Sequence, residues 1–179
     1  MKLLLHTCCA PCAVYPLEQS KSDQFKRVDL YFYNPNIHPA KEYSKRKKEL
    51  GKLKHFGKFG VLKADYNQAD YFKAIKDFDN KELRCMDCWS LRLGKTAERA
   101  ALRKYDYFST TLLSSIYQDH EVLKKICGEF AEKYKVKFYY KDFRTGFKAS
   151  HNKAREKKIY CQNYCGCIFS AVERYESKR

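Results

Sequence analysis

Two hydrophobic periods alternate along this chain. Lys2–His6 is a short apolar run that stops at Thr7-Cys8-Cys9-Ala10-Pro11-Cys12. That is the pattern of a strand entering a loop, and Pro11 suits the first turn of a helix over roughly the next dozen residues. Val28–Tyr33, rich in aromatic and branched side chains, predicts a second strand, ended by Asn34-Pro35-Asn36. Gly60–Ala64, Tyr107–Leu113 and Val136–Tyr140 predict three more. Between them the period lengthens, predicting helices over Lys41–His55, Ala69–Phe78, from Cys85 through Leu91, Leu93, Ala97 and Ala100, and over Asp119–Tyr134. Two short helices, Lys148–Lys157 and Asn163–Tyr175, are predicted to close the chain. Strand and helix in alternation imply an α/β fold: a three-layer sandwich around a mostly parallel sheet of about five strands. Functional groups then gather beyond the carboxyl ends of the strands. No linker or repeat interrupts the pattern, so one domain is expected over residues 1–179.

Charge narrows the partners. Thirty-seven Lys and Arg against 21 Asp and Glu give a formal charge of +16, which attracts polyanions such as nucleic acid. One basic stretch spans 41–58, with Lys41, Lys45, Arg46, Lys47, Lys48, Lys52, Lys54 and Lys58. Another holds Arg144, Lys148, Lys153, Arg155, Lys157 and Lys158. Tyr43, His55, Phe56, Phe143 and Phe147 are interleaved with them. Such rings stack on unpaired bases in single-stranded RNA readers, although an amphipathic helix carries the same residues as its buried stripe. The opening leucines are too few for a signal-peptide core and no stretch is long enough to cross a bilayer, so a cytoplasmic protein without membrane association is expected.

Cysteine changes the picture most. The nine cysteines of a chain without an export signal suit metal ligation or redox chemistry better than a disulfide scaffold. Seven of them form Cys8-Cys9-Ala-Pro-Cys12, Cys85-Met-Asp-Cys88 and Cys165-Gly-Cys167, each at a turn or helix start. Cys127, on the apolar side of its helix, reads as a small buried hydrophobe. A structural zinc site needs four ligands in two knuckle pairs. Vicinal Cys8 and Cys9 suit two corners of an iron–sulfur cubane better, with Cys85 and Cys88 completing a four-thiolate set. A helix start at Cys85 and Cys88 would favour their thiolates. Cys165 and Cys167 can close only a tight, strained ring, and strained disulfides are the reducible kind. Gly166 supplies the backbone freedom such a ring needs.

Leu5-His6-Thr7-Cys8-Cys9-Ala10-Pro11-Cys12, Arg84-Cys85-Met86-Asp87-Cys88-Trp89 with Arg92-Leu93, and Gln162-Asn163-Tyr164-Cys165-Gly166-Cys167 together resemble the QueH-type epoxyqueuosine reductases. Phe108–Leu113 and Gln118-Asp119-His120 fit the same pattern, while Trp89 and Cys161 depart from it. The resemblance implies a nucleotide alpha-hydrolase-like fold and a [4Fe-4S] cluster. It also implies cobalamin-independent removal of the epoxide oxygen of epoxyqueuosine at the wobble position of a tRNA with a GUN anticodon. That reaction consumes two electrons and two protons, so an electron-donor protein is expected as a second partner. Cys165 and Cys167 are the candidate redox pair. Alternatively, Cys12 with one of them and a carboxylate holds a second, mononuclear iron. Asp119 and His120 are candidates for proton supply, with helix capping the plainer role for Asp119. Two other functions compete: a thiol-dependent tRNA sulfur transferase, which would need an ATP site although no Gly-rich phosphate loop is present, and a zinc-binding RNA module without catalysis.

Overall fold

The apolar run at the amino terminus forms the centre of a sheet. In the computed structural model of the protein, which describes residues 1–23 and 25–177, β1 (Lys2–His6) pairs with β2 (Arg27–Tyr31) on one side. The same sheet holds β3 (Gly60–Leu62), β4 (Tyr107–Thr110) and β5 (Lys137–Phe138). The order is β3-β2-β1-β4-β5, and every pairing is parallel. Leu3, Leu4 and Leu5 are all buried, as a central strand covered on both faces requires.

Successive side chains of a strand point to opposite faces, and the core divides accordingly. Leu3, Leu5, Val28 and Leu30 pack with α1 (Ala10–Ser22), α2 (Ala40–Glu49) and α6 (Phe147–Glu156). Leu4, Tyr31 and Phe108 pack on the other face with α4 (Lys81–Leu102) and α5 (His120–Tyr134). This is the three-layer α/β sandwich expected from the sequence. Two shorter helices, α3 (Gln68–Ala74) and α7 (Ile168–Glu176), lie outside the layers. The single-domain span includes Lys178 and Arg179, which lie outside the described residues.

Several boundaries differ from expectation, and four of the differences have a local reason. The helix expected over Lys41–His55 leaves α geometry after Glu49 and ends as a 3-10 turn over Leu50–His55, where Gly51 weakens helical propensity. The fourth strand stops at Thr110, whose hydroxyl accepts from the Leu112 amide and opens a 3-10 turn over Thr111–Ser114. Helix α4 starts before its cysteines, because Asn80 Oδ1 accepts from the Leu83 amide and caps it there. Helix α7 starts at Ile168 rather than Asn163: Gly166 takes φ +134°, and Cys167 supplies the cap.

Gly146 fixes how closely α6 approaches α1. A Cβ there would lie 2.1 Å from the Tyr15 ring, at the base of the side chain, where a small rotation gives no relief. Gly146→Ala is therefore expected to lower stability by about 1–3 kcal/mol, the usual cost of overpacking, read as a drop in denaturation midpoint. Cys127→Ala, at a position buried among Leu123 and Ile126, is the comparison and is expected to leave metal content unchanged.

Candidate functional site

After β1 the chain turns to α1 on one face of the sheet, and after β4 it runs to α5 on the other. A crevice opens between two neighbouring strands whose connections part in this way. The first cysteine motif lies in it. The Cys8 amide donates to Thr111 Oγ1 (3.2 Å), and the Cys8 sulfur lies 3.5 Å from the same hydroxyl. Pro11 opens α1, and Ser114 Oγ donates to the Cys12 carbonyl at 2.9 Å. The sulfurs of Cys8, Cys9 and Cys12 fall within 4.8 Å of one another, with Cys8 and Cys9 at 4.0 Å. Hydrogen bonds from Cys12 and Cys9 hold the Cys8 thiol well below its ordinary range. Its partners move the other way: burial raises Cys9, and bonding to Cys8 raises Cys12. One thiolate shared among three sulfurs is a ready ligand set for a soft metal.

The second motif stands one turn inside α4, not at its start. The expected lowering by the helix terminus is absent, because that effect fades within the first turn. Burial instead pushes Cys88 up to about 11 and raises Cys85. Cys88 packs with Cys167, Tyr71 and Ile75 in a small buried cluster, and Cys167 Sγ accepts from the Ser170 amide (3.3 Å). Of the expected four ligands the structure thus brings Cys8 and Cys9 together, adds Cys12, and groups Cys88 with Cys167, while Cys85 packs against the core cluster that Cys8 also borders. All nine cysteines are free thiols.

Two buried arginines join these groups. Arg92, 1% exposed, lies one helical turn beyond Cys88; its Nε donates to the Cys88 carbonyl (3.3 Å) and its Nη1 to Asn34 Oδ1 (3.5 Å). Asn34 in turn donates to the Thr7 carbonyl (2.9 Å), tying α4 to the end of β1. Burial opposes the charge on Arg92, but Cys88, Cys165, Cys8 and Cys167 surround it and hold it protonated. Arg46 belongs to the first basic stretch, yet it is 1% exposed. It donates to the carbonyls of Cys165 (2.9 Å) and Tyr164 (3.2 Å) and pairs with Glu42 (2.7 Å). It fixes the third cysteine motif. A Cβ at Gly166 would lie 3.2 Å from its Nη1, so both the positive φ and the close approach require glycine there.

A cavity of about 920 Å³ opens over this centre, with Cys8, Cys12, Arg92 and Cys165 among its lining residues. Cys165 is reached by solvent through the cavity, yet the protein around it pushes its thiol up to about 12. Of the two basic stretches only the second reaches this cavity, through Phe147, Lys148, His151 and Arg155. The first is engaged elsewhere: Lys45 sits 3.4 Å above the Tyr160 ring and Lys52 bonds Glu49 and the Lys158 carbonyl. Asp119 caps α5 by accepting from the Glu121 and Val122 amides. His120 is buried beside Tyr140, 3.4 Å away, and neither residue lines the cavity. Sequence reasoning missed the roles of Arg46 and Arg92, although the spacing of Arg92 four residues after Cys88 places both on one helix face.

A parallel sheet of order 3-2-1-4-5, with three thiols grouped at the switch point where a nucleotide binder carries glycines, defines an α/β protein with a candidate thiol site. The family model described as epoxyqueuosine reductase QueH matches residues 3–173, and the chain belongs to that family. Curated relatives named epoxyqueuosine reductase QueH include one from Dehalococcoides mccartyi, 37% identical over 175 residues that cover 97% of this chain and 94% of the relative. Another, from Thermotoga maritima, is 36% identical over 184 residues, covering 97% and 92%. A solved structure described as a predicted subunit of tRNA methyltransferase from Methanocaldococcus jannaschii aligns with a TM-score of 0.51 and 13% identity, over 87% of this chain and 75% of that one. That likeness is one of fold.

The contrast between Cys8 and Cys165 is open to chemical test. Thiolates alkylate and thiols do not, so in metal-free reduced protein near neutral pH Cys8 is expected to react with iodoacetamide before Cys165. The Cys165 rate should climb steeply only as the solution becomes strongly alkaline. Peptide mapping after timed labelling checks the order, and faster labelling of Cys165 at pH 7 would contradict it.

Proposed function

We propose that this protein is a cobalamin-independent epoxyqueuosine reductase, acting on the wobble position of a tRNA with a GUN anticodon. One observation carries the reading: in a chain of this family, cysteines from the first and third motifs line one cavity with the buried Arg92. Its volume is that of a site for a nucleoside-sized group. Among the described residues no helix is long and apolar enough to cross a membrane. The reaction proposed acts on tRNA, as do the reductases of the family, and on that ground we assign the protein to the cytoplasm.

The donor set fits an iron–sulfur cluster. It is all sulfur, largely buried, and balanced by the cations of Arg46 and Arg92. We assign Cys8, Cys9, Cys85 and Cys88 as ligands of a [4Fe-4S] cluster, which passes single electrons when bound. The remaining work falls to the chain. Removing the epoxide oxygen breaks both of its C–O bonds, leaves a carbon–carbon double bond and releases water, at a cost of two electrons and two protons. A dithiol that closes to a disulfide yields the same two electrons and two protons. Cys165 opens to the cavity and its raised thiol keeps its proton at neutral pH. We therefore assign Cys165 and Cys167 as the redox pair, with an electron-donor protein restoring the dithiol after each turnover. Asp119 and His120, away from the cavity, have no part in this scheme. Arg92, whose Nη2 has no hydrogen-bond partner among the described residues, is assigned to stabilise negative charge as the C–O bonds break.

Anaerobic protein given a reductant and tRNA carrying epoxyqueuosine is expected to yield a nucleoside lighter by one oxygen on mass spectrometry of the digest. Cys165→Ser and Cys167→Ser are each expected to keep the cluster absorbance and abolish turnover, since a hydroxyl forms no disulfide. If either variant instead loses part of its iron while the cluster absorbance stays, the motif holds a second, mononuclear iron together with Cys12. Full activity in either variant would contradict both arrangements.

A further inference from the structure

One part of the cavity lining carries a row of rings. Phe147 and His151, one turn apart on α6, have centroids 4.3 Å apart. Tyr117, in the loop between β4 and α5, meets Phe147 edge-on at 6.4 Å. All three line the cavity. Tyr117 is 80% exposed, its amide is held by Ser115 Oγ (3.2 Å), and among the described residues its hydroxyl bonds to nothing. A ring in that position serves no core. Lys148, Arg155 and Arg174 line the same cavity and are exposed, and none of them has an ion pair among the described residues. The one carboxylate in the lining, Glu173, is already paired with Arg84 and Lys81, each at 2.8 Å. Cations beside a projecting aromatic are the combination that holds single-stranded RNA, with backbone phosphates on the charges and an unstacked base on the ring.

We propose that Tyr117 is a stacking platform for an RNA loop base that flanks the base reduced in the cavity, with Lys148, Arg155 and Arg174 holding the adjoining phosphates. This rests on the reading of the cavity as the site of a tRNA substrate. The row positions the RNA, and the thiols below act on the neighbouring base. Stacking tolerates any base, so Tyr117 supplies affinity and register while the cavity supplies selection.

The test uses the full-length, iron-loaded protein and a labelled, unmodified anticodon stem-loop RNA, followed by fluorescence anisotropy. Tyr117→Ala is expected to weaken binding by about five- to a hundredfold, the range for losing one base–aromatic stack, and Tyr117→Phe to bind like the wild type. Lys148→Ala is expected to weaken binding and flatten its salt dependence by about one phosphate contact. Abasic substitutions along the loop locate the partner: at one position the loss of the base is expected to weaken wild-type binding and to make no difference to Tyr117→Ala. Binding by Tyr117→Ala equal to wild type, or abasic penalties identical in both proteins, would overturn the proposal. Failure of the wild type to remove oxygen from epoxyqueuosine in tRNA would instead overturn the functional reading, and it is read in a separate assay.

Discussion

A guanidinium buried among sulfurs is the interaction on which the rest of this structure depends. Taking a cation out of water costs several kcal/mol unless anions and hydrogen bonds replace the lost hydration. Arg92, 1% exposed, meets that requirement with the Cys88 carbonyl, Asn34 and the cysteines of all three motifs. The constraint works in both directions. Burial raises the Cys88 and Cys165 thiols, and the cation beside them works against that rise. The countercharge for these sulfurs belongs to the protein itself.

The sheet decides where this happens. Three leucines in succession put β1 at the centre, and the chain leaves β1 and β4 toward opposite faces. The resulting crevice is where related folds receive phosphate on glycine-rich loops. Here that loop and the first turn of α1 carry three cysteines, and the amide of Cys8 is held by Thr111 from the neighbouring strand end. The third motif comes from the far end of the sequence and has no strand to position it. Arg46 performs that task through the carbonyls of residues 164 and 165, and the amide of His38 donates to the Gly166 carbonyl (2.8 Å).

Much of this was legible in the sequence. The strand–helix alternation determines a parallel sheet because period and length are local properties, and the cysteine motifs stand out because their spacing suits shared chemistry. Strand and helix ends were less legible, since caps such as Asn80 and the Thr110 turn depend on single hydrogen bonds. Charge was the least legible quantity. Arg46 lies in the most basic stretch of the chain, where a solvated, RNA-facing side chain is the natural expectation, and yet it is buried to clamp a distant loop. Only tertiary contact distinguishes the two fates. Tyr117 stands in a stretch with few charges, and only its exposure beside Phe147 in the cavity lining sets it apart.

The central claim is that the three cysteine motifs form one redox metal centre at the switch point of the sheet. It is tested most directly by counting iron and acid-labile sulfide in anaerobically purified protein and recording its electron paramagnetic resonance after reduction. The expected result is about four iron and four sulfide per chain with the signal of a reduced cluster, any further iron carrying no sulfide, and loss of both in Cys8→Ala. Zinc without sulfide, or a full iron and sulfide content in Cys8→Ala, would contradict it.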